Sequence, residues 1–407
     1  MRLVDRIPYV QQLRTVRDVV RAFGAGPGAL GLAARYSAAR LFPERSDVRH
    51  LEETMAWIAR AQDECGGDGV ANVFYLASGF GVAYPETSGY IIATYLTHAA
   101  NGGGDEFVRR AIQLGDWEIA VQAPNGGIYS SIALKQTRVF NTGQVILGWC
   151  ALYEHTRDKR YLRAAERAGD YLLREQTAEG TWVKDTYCGA RTYHARVDWG
   201  LLRLAELTGR LEFAAAAVRN LEWVLAQQRP NGWFAACGFN DDRPIMHVIV
   251  YTLRGLLESS QVVADGVEAL GILSRVVVAA DALCDALEAQ PVRGIAGMVS
   301  TAFDEQWRST DEDSCLTGNA QLCCFLYRLA QCTGSERYRR VADVVLSATK
   351  RTQSVDTSIL PVRGAIAGSY PIAHGYVPNG YPNWAAKFFA DALLMKIHFA
   401  KRLVVTA

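Results

Sequence analysis

Residues 169–182 read GDYLLREQTAEGTW, and this stretch defines a unit that recurs along the chain. Its first part has the spacing of an amphipathic helix that ends at Gln176, and a turn through Gly180 then leads to Trp182. Helical stretches of the same kind end at five other glutamines, each followed by glycine: Gln62, Gln122, Gln228, Gln290 and Gln353. The six glutamines are 52 to 63 residues apart. A repeat of this length predicts stacked supersecondary units.

The composition excludes several classes of protein. Half of the 407 residues are apolar and the net charge is +1, which argues for a large core and against nucleic acid as a partner. We find no apolar run of about 18 residues and no secretory signal. Nine cysteines without CxxC spacing indicate reduced thiols and a cytoplasmic protein. No glycine-rich phosphate loop follows a strand, so we expect no cofactor.

Between the repeated turns, two kinds of helix alternate. One kind carries Arg and Glu on one face and is expected to lie outside, at 48–62, 105–122, 159–176, 211–228, 266–289 and 336–353. The other kind is poorer in charge and richer in Gly and Ala, as expected for inner helices, at 86–100, 141–157, 193–208, 245–260, 313–332 and 383–400.

The connections between these helices predict how they are arranged. Short polar turns lead from inner to outer helices, and segments of about 15–30 residues lead back, a length that in compact domains usually serves function. Six antiparallel pairs predict an all-α (α/α)6 toroid over residues 48–407, with all six long segments at one end. Residues 1–47 form a basic helical arm, which we expect to pack on the barrel or to dock on a membrane surface or an acidic partner.

The turns NGGIY, EGTW and PNGW resemble those of six-hairpin glycosidase-like proteins across residues 48–400. They resemble more loosely the QW turns of terpene cyclases and of the β subunits of protein prenyltransferases. YPETSGY (Tyr84–Tyr90) and the stretch from Ser369 to Leu394 are similar to segments of toroid proteins encoded with bacterial exopolysaccharide machinery. The resemblance implies a polysaccharide or oligosaccharide as the partner, but the fold hosts several chemistries.

Polar and aromatic side chains gather at the predicted starts of the inner helices. Aromatic rings stack on the apolar faces of sugars, while carboxylates, Arg and Asn bind hydroxyl groups. The candidate catalytic residues are Glu86, Tyr193, His194, Asp198, His247 and Asp313. The candidate substrate-binding residues are Tyr84, Arg138, Asn141, Trp182, Arg196, Trp199, Trp233, Tyr251, His374, Tyr376, Tyr381, Asn383 and Trp384.

Each candidate also has a structural interpretation. Glu86 in a first helical turn suits the helix dipole, Asp198 could pair with Arg196, and Asp313 could be the N-cap of the fifth inner helix. Asp241 and Asp242 precede Arg-Pro and suit a loop. The histidines could be hydrogen-bonded structural residues.

Three reactions on a bacterial, uronic-acid-containing polysaccharide stay open. A glycoside hydrolase needs two carboxylates, which Glu86, Asp198 and Asp313 could supply. A polysaccharide lyase or a C5-epimerase needs a base, an acid such as Tyr, and groups that neutralise an enolate. The surplus of Tyr, His and Arg favours this second kind of chemistry.

Two alternatives belong to other classes. A zinc-dependent prenyltransferase or terpene-cyclase-like toroid would bind Zn²⁺ through Asp313, Cys315 and His374, whose ligand types suit that metal. Against it, His374 lies in a loop and no DxDD motif occurs. A non-catalytic glycan-binding scaffold is the third class.

Overall fold

In a computed structural model of the protein, the structure describes residues 16–21, 30–32, 34–35, 41–239, 243–262 and 266–405. For residues 269 and 399–405 only the backbone is described. Within these residues, helices of the outer ring are α1 (Asp47–Asp63), α3 (Asp105–Val121), α5 (Lys159–Glu175), α7 (Leu211–Ala226), α9 (Ile272–Ala289) and α11 (Glu336–Lys350). Helices of the inner ring are α2 (Pro85–His98), α4 (Val139–Thr156), α6 (Ala195–Thr208), α8 (Met246–Ser259), α10 (Leu316–Thr333) and α12 (Asn383–Val405).

The two sets of helices form a closed double ring. Each inner helix contacts the next, and α12 contacts both α1 and α2, so the last hairpin meets the first. Burial follows the predicted pattern: α5 is buried on one face, whereas α10 is buried from Leu316 through Tyr327. The (α/α)6 toroid predicted from the repeat is confirmed.

The repeated glutamines hold neighbouring hairpins together. Gln176 Nε2 donates to the Gly180 carbonyl in its own turn (2.9 Å) and to the Ala216 carbonyl in α7 (2.8 Å). Gln62, Gln122 and Gln228 make the same pair of bonds to their own turn and to the next outer helix. Gln353 donates to Gly364 and to Thr54 of α1, which links the last hairpin to the first.

Short strands connect the long segments to one another. Strand β1 (Val73–Tyr75) pairs antiparallel with β2 (Gly79–Phe80) and β7 (Gly380–Pro382), and β3 (Ile128–Tyr129) pairs with β4 (Thr137–Arg138). Strand β5 (Ser314–Cys315) pairs with β6 (Ser369–Tyr370), and a bridge joins Ile245 to Ala302. Backbone hydrogen bonds from Thr192 to Ala236 and from Val139 to Asp185 continue the circuit. These contacts bring the six long segments together at one end.

Two helix starts differ from the sequence prediction by three residues or more. Helix α9 begins at Ile272 rather than at 266, because Glu268–Leu270 forms a 3₁₀ turn and Gly271 adopts a left-handed φ of 57°. Helix α10 begins at Leu316, because the residues before it form β5. Its N-cap is Cys315, whose Sγ accepts from the Gly318 amide (3.4 Å). The interpretation of Asp313 as that N-cap is therefore wrong.

The described part of the N-terminal arm contacts the barrel. Residues 16–21 are helical, and Val19 and Leu32 are buried in the common core. Asn379, in the segment before α12, donates to Asp18 at 3.5 Å. In the described part of the chain, none of the helices combines the length and the apolar character needed to cross a bilayer.

Candidate functional site

The ring of long segments surrounds a cavity of about 420 Å³ at the inner-helix starts. Nine of the eleven lining residues are aromatic, and the other two are Glu86 and His247. The aromatic residues are Tyr84, Tyr90, Phe140, Tyr187, Tyr193, Phe239, Tyr251, Tyr376 and Trp384. The walls can therefore stack on the faces of sugar rings, while one carboxyl and one imidazole remain for chemistry.

Glu86 lies in the first turn of α2, directly after Pro85 at the helix start. Desolvation by burial raises the pKa of its carboxyl to about 7, although the Tyr84 hydroxyl and the charge of Arg196 act in the opposite direction. A carboxyl with this pKa is partly protonated at neutral pH. It can therefore both donate and accept a proton.

A chain of hydrogen bonds leads from Glu86 toward the mouth of the cavity. The Tyr84 hydroxyl lies 3.0 Å from Glu86 Oε2 and 3.0 Å from the Tyr187 hydroxyl, and Tyr187 donates to Asn141 Oδ1 (3.1 Å). If Glu86 is ionised, Tyr84 donates to it and can itself accept from Tyr187 or from Asn141 Nδ2 (3.5 Å). If Glu86 is protonated, each group donates to the next and all three contacts carry a proton. The network therefore accommodates both protonation states of Glu86, as a group that gives and takes a proton requires.

His247 lies in the first turn of α8, and its ring packs against Tyr251 and Tyr376 with centroids 4.5 and 5.3 Å away. Its Nδ1 is 3.0 Å from Gln321 Oε1, which as an amide oxygen only accepts. With the Gln321 oxygen facing the ring, Nδ1 carries the proton and Nε2 presents a lone pair. Desolvation lowers the pKa of the imidazole to about 4, so the ring is neutral at pH 7 and can act as a base.

Arg138 brings a positive charge to the edge of this cavity. It is the residue before α4, and its guanidinium carbon lies 5.2 Å from the ring centroid of Tyr187. Its Nε is buried, and no described residue accepts a hydrogen bond from it or forms an ion pair with Arg138. A carboxylate on a bound ligand would supply the missing partner.

Of the residues predicted from the sequence, seven line the cavity: Tyr84, Glu86, Tyr193, His247, Tyr251, Tyr376 and Trp384. Arg138 and Asn141 contact it through Tyr84 and Tyr187. The other predicted residues do not line this cavity, and their contacts show what each of them does instead.

Asp198 points away from the axis of the barrel. It is buried, and its Oδ2 accepts from Asn220 of outer helix α7 (2.7 Å). His194 is buried between the rings of Tyr193 and Trp182, and neither ring nitrogen has a partner among the described residues. Burial lowers the pKa of His194 to about 3. Neither residue lines the cavity, so the structure does not bring them together with Glu86 and His247, and their catalytic roles stay a prediction.

Asp313 and His374 lie in the segments around β5 and β6, outside the cavity lining. Asp313 accepts from Thr301 (3.0 Å), and burial raises the pKa of its carboxyl. Cys315 is fully buried, and its Sγ accepts the amide of α10 described above. Among the described residues, no group of three or more His, Cys, Asp or Glu side chains could hold a metal ion.

The remaining predicted residues have structural contacts. Trp182 donates to the Leu172 carbonyl (2.9 Å), and Asn383 donates to Ala71 and Thr87. Trp233 packs edge-on against Trp307 and Tyr381 against Phe74 in the sheet. Arg196 and Trp199 line a second cavity, described below. Asp241 and Asp242 lie outside the described residues.

The sequence analysis missed four lining residues: Tyr90, Phe140, Tyr187 and Phe239. Tyr90 follows Glu86 by one helical turn and therefore shares its face, a signal that the sequence contained. Phe140 directly precedes Asn141 at an inner-helix start. Tyr187 and Phe239 come from long segments whose path over the cavity has no sequence signal.

Comparison with known proteins places the fold. An unsaturated glucuronyl hydrolase from Bacillus sp. GL1 is similar with a TM-score of 0.68 and 15% identity, over 86% of this chain and 96% of that chain. A sugar epimerase from a ruminal bacterium is similar with a TM-score of 0.64 and 14% identity, over 86% of this chain and 97% of that one. For a polysaccharide lyase the TM-score is 0.64 and the identity 11%, over 88% of this chain and 99% of the other.

These similarities extend over nearly the whole of each known structure, so the chain has the fold of the six-hairpin glycosidase-like toroids. No protein-family model and no curated protein matches the sequence.

Proposed function

We propose that the chain is a carbohydrate-active enzyme that moves a proton at a carbon atom of an acidic saccharide, through elimination or epimerisation. The observation that carries the proposal is the pairing of Glu86 with neutral His247 in one aromatic cavity. One group is poised to give a proton and the other to take one. The solved structures named as a glucuronyl hydrolase, a sugar epimerase and a polysaccharide lyase support a saccharide substrate.

The reaction follows from these two groups. His247 Nε2 takes the proton from the carbon next to the sugar carboxylate. In elimination, the C–O bond at the neighbouring carbon breaks and protonated Glu86 gives its proton to the leaving oxygen. In epimerisation, Glu86 instead returns a proton to the same carbon from the opposite side.

Arg138 is the residue that we assign to the substrate carboxylate, because its charge has no carboxylate partner among the described residues. A uronic acid in a bacterial exopolysaccharide supplies such a group, in line with the resemblance of residues 84–90 and 369–394. Hydrolysis by two carboxylates is less well supported, because Glu86 is the only carboxylate that lines the cavity within the described residues.

Mass spectrometry of products made in D₂O from a panel of acidic bacterial polysaccharides tests the proposal. Elimination yields an unsaturated uronate, epimerisation adds one deuterium to a product of otherwise unchanged mass, and hydrolysis adds the mass of water. The first two results support the proposal. Hydrolysis would overturn it, and loss of that hydrolysis in Asp241→Asn or Asp242→Asn would identify the second carboxylate. No change in any polysaccharide favours the glycan-binding scaffold.

Two variants then test the residues. Glu86→Gln should lower kcat by roughly 10²–10⁴-fold, the usual contribution of a positioned acid or base. Glu118→Gln is the matched control, because Glu118 is also buried but does not line the cavity. Arg138→Gln should raise KM more than it lowers kcat, as expected for a binding contact.

A further inference from the structure

A second cavity, of about 460 Å³, lies deeper along the axis of the barrel. Its lining residues sit later in the inner helices than those of the first cavity: Thr94 and Thr97 follow Glu86 on α2, and Arg254 follows His247 on α8. Because all inner helices start at the end with the long segments, this cavity extends toward the opposite end. Tyr251 belongs to the walls of both cavities and separates them.

The second cavity is rich in positive charge. Arg196, Arg254 and Lys387 line it, and Asp391 is the only carboxylate among its described lining residues. Arg254 is paired with Glu258 (2.6 Å), which is next to the cavity on α8. Lys387 is paired with Asp391, so two of the three cations are neutralised within the protein.

Arg196 has no such partner. It is 4% exposed, and its Nε donates to the amide oxygen of Gln144 (2.8 Å). Its guanidinium carbon lies 5.2 Å from the ring centroid of Tyr251 and 5.3 Å from that of Trp199. No hydrogen bond or ion pair joins its terminal nitrogens to any described residue. A guanidinium that is buried without an anion carries a desolvation cost that an anionic ligand would offset.

We propose that this second cavity binds a small molecule that carries a phosphate or carboxylate group, with Arg196 as its anchor. A bidentate contact to the terminal nitrogens of Arg196 matches the geometry of either oxyanion. The flat ring of Trp199, which also lines the cavity, provides a further contact for the rest of such a ligand. The volume is in the range of small-molecule sites.

Binding there would act on the first cavity through charge. The Arg196 guanidinium lowers the pKa of both Glu86 and His247. An anion on Arg196 offsets that charge, so both pKa values should rise when the ligand is bound. The second cavity would then regulate the proton transfer of the proposed function, although binding itself does not depend on that function.

Isothermal titration of the full chain with inorganic phosphate and with citrate tests the proposal, against sodium chloride at matched ionic strength. We expect heat from at least one oxyanion, and which of the two binds distinguishes phosphate from carboxylate ligands. Arg196→Met should weaken that binding by roughly tenfold or more. Arg203→Gln is the matched control: Arg203 lies on the same helix but pairs with Glu154 (2.6 Å) outside the cavity, and its loss should change nothing.

Three results would overturn the proposal. The first is no oxyanion-specific heat in the wild type, in which case Arg196 is held by Gln144 and the aromatic rings alone. The second is unchanged binding in Arg196→Met. The third is binding that is lost in Arg138→Gln and kept in Arg196→Met, which would place the anion in the first cavity. If Arg196→Met does not fold, Arg196→Lys keeps the charge but not the fork, and its affinity should fall in the same direction.

Discussion

The contact between a repeat turn and the next outer helix can be tested with two glycines that have the same positive φ. Gly180 and Gly189 both have a φ of 81°. A Cβ at Gly180 would lie 2.7 Å from the Arg219 Cβ and 3.0 Å from the Arg219 backbone in α7, whereas a Cβ at Gly189 would have nothing within 4 Å. Alanine at the two positions therefore separates backbone strain from collision between hairpins.

The expected magnitudes follow from these contacts. At Gly189, alanine lowers the free energy of unfolding by about 1–2 kcal/mol because its backbone has a left-handed φ. About 0.4–1 kcal/mol of this loss is offset because alanine restricts the unfolded chain. At Gly180 the same terms apply, and the collision with α7 adds about 1–3 kcal/mol. The turn also loses alignment for the 2.9 Å bond from Gln176, worth about 1 kcal/mol. Gly180→Ala should therefore be about 2–4 kcal/mol less stable than Gly189→Ala.

Urea unfolding followed by circular dichroism measures this difference, provided that refolding reproduces the curve. Equal slopes in the two variants would indicate that the midpoints report stability alone. Free energies of unfolding within about 0.5 kcal/mol of each other would refute the reasoning. The glutamine turns would then be a repeated sequence feature without an energetic role between hairpins.

Three further predictions concern ionisable groups. Tyr84→Phe removes a hydroxyl that stabilises the Glu86 carboxylate, so the pKa of Glu86 should rise. In a pH–rate profile, the pH at which activity falls on the basic side should therefore increase by about one unit. An unchanged profile would mean that Glu86 does not determine the loss of activity at high pH. Because the pKa of Glu86 is raised from 4.5 to about 7 in the folded protein, its stabilising contribution is complete below 4.5 and lost as pH rises to 7. The stability of the wild type relative to Glu86→Gln should fall by about 3 kcal/mol over that interval in urea titrations, and a flat difference would contradict the burial argument. Burial also raises the pKa of Asp198. Asp198→Asn should therefore increase the melting temperature more at pH 8 than at pH 5, while kcat stays within about threefold of the wild type. A large loss of kcat would instead support a catalytic role for Asp198.

The fold could be predicted because the repeated helices and turns follow from interactions between residues close in sequence. Gln176 and Gly180 recur because the turn bonds to the next outer helix, as it does for five of the six glutamines, whereas Gln290 bonds to Trp307. The charge of the outer faces follows from their exposure. The start of α10 could not be predicted in this way. There, Ser314 and Cys315 join a strand with residues more than 50 positions later, and such pairing is invisible to local patterns.

The site was predicted in part. Most of the differences between the predicted and the observed lining follow from the direction in which a side chain points from its helix. Arg196 and Trp199 are three residues apart and share the face toward the axis, whereas Asp198 is two residues from Arg196 and faces outer helix α7. The expectation for Asp198 came from its closeness to a helix start, which does not determine direction. Phase alone, however, could not reveal Tyr187, because that ring is placed by a long segment.

Perturbed ionisation does not by itself mark the chemistry of this protein. Burial raises the pKa of Glu86, Glu118 and Asp198 alike, so a search for displaced pKa values would rank all three as candidates. The positions of the three groups separate them. Asp198 accepts a hydrogen bond from Asn220 and so connects an inner helix to an outer one. Both carboxylate oxygens of Glu118 lack partners among the described residues, and no described cavity reaches them. Glu86 alone combines a raised pKa with a chain of hydroxyls to the mouth of an aromatic cavity. Burial of the Asp198 and Glu118 carboxyls between helices costs stability without supplying a group at a cavity. The same desolvation cost at Glu86 yields a carboxyl that can transfer a proton near neutral pH.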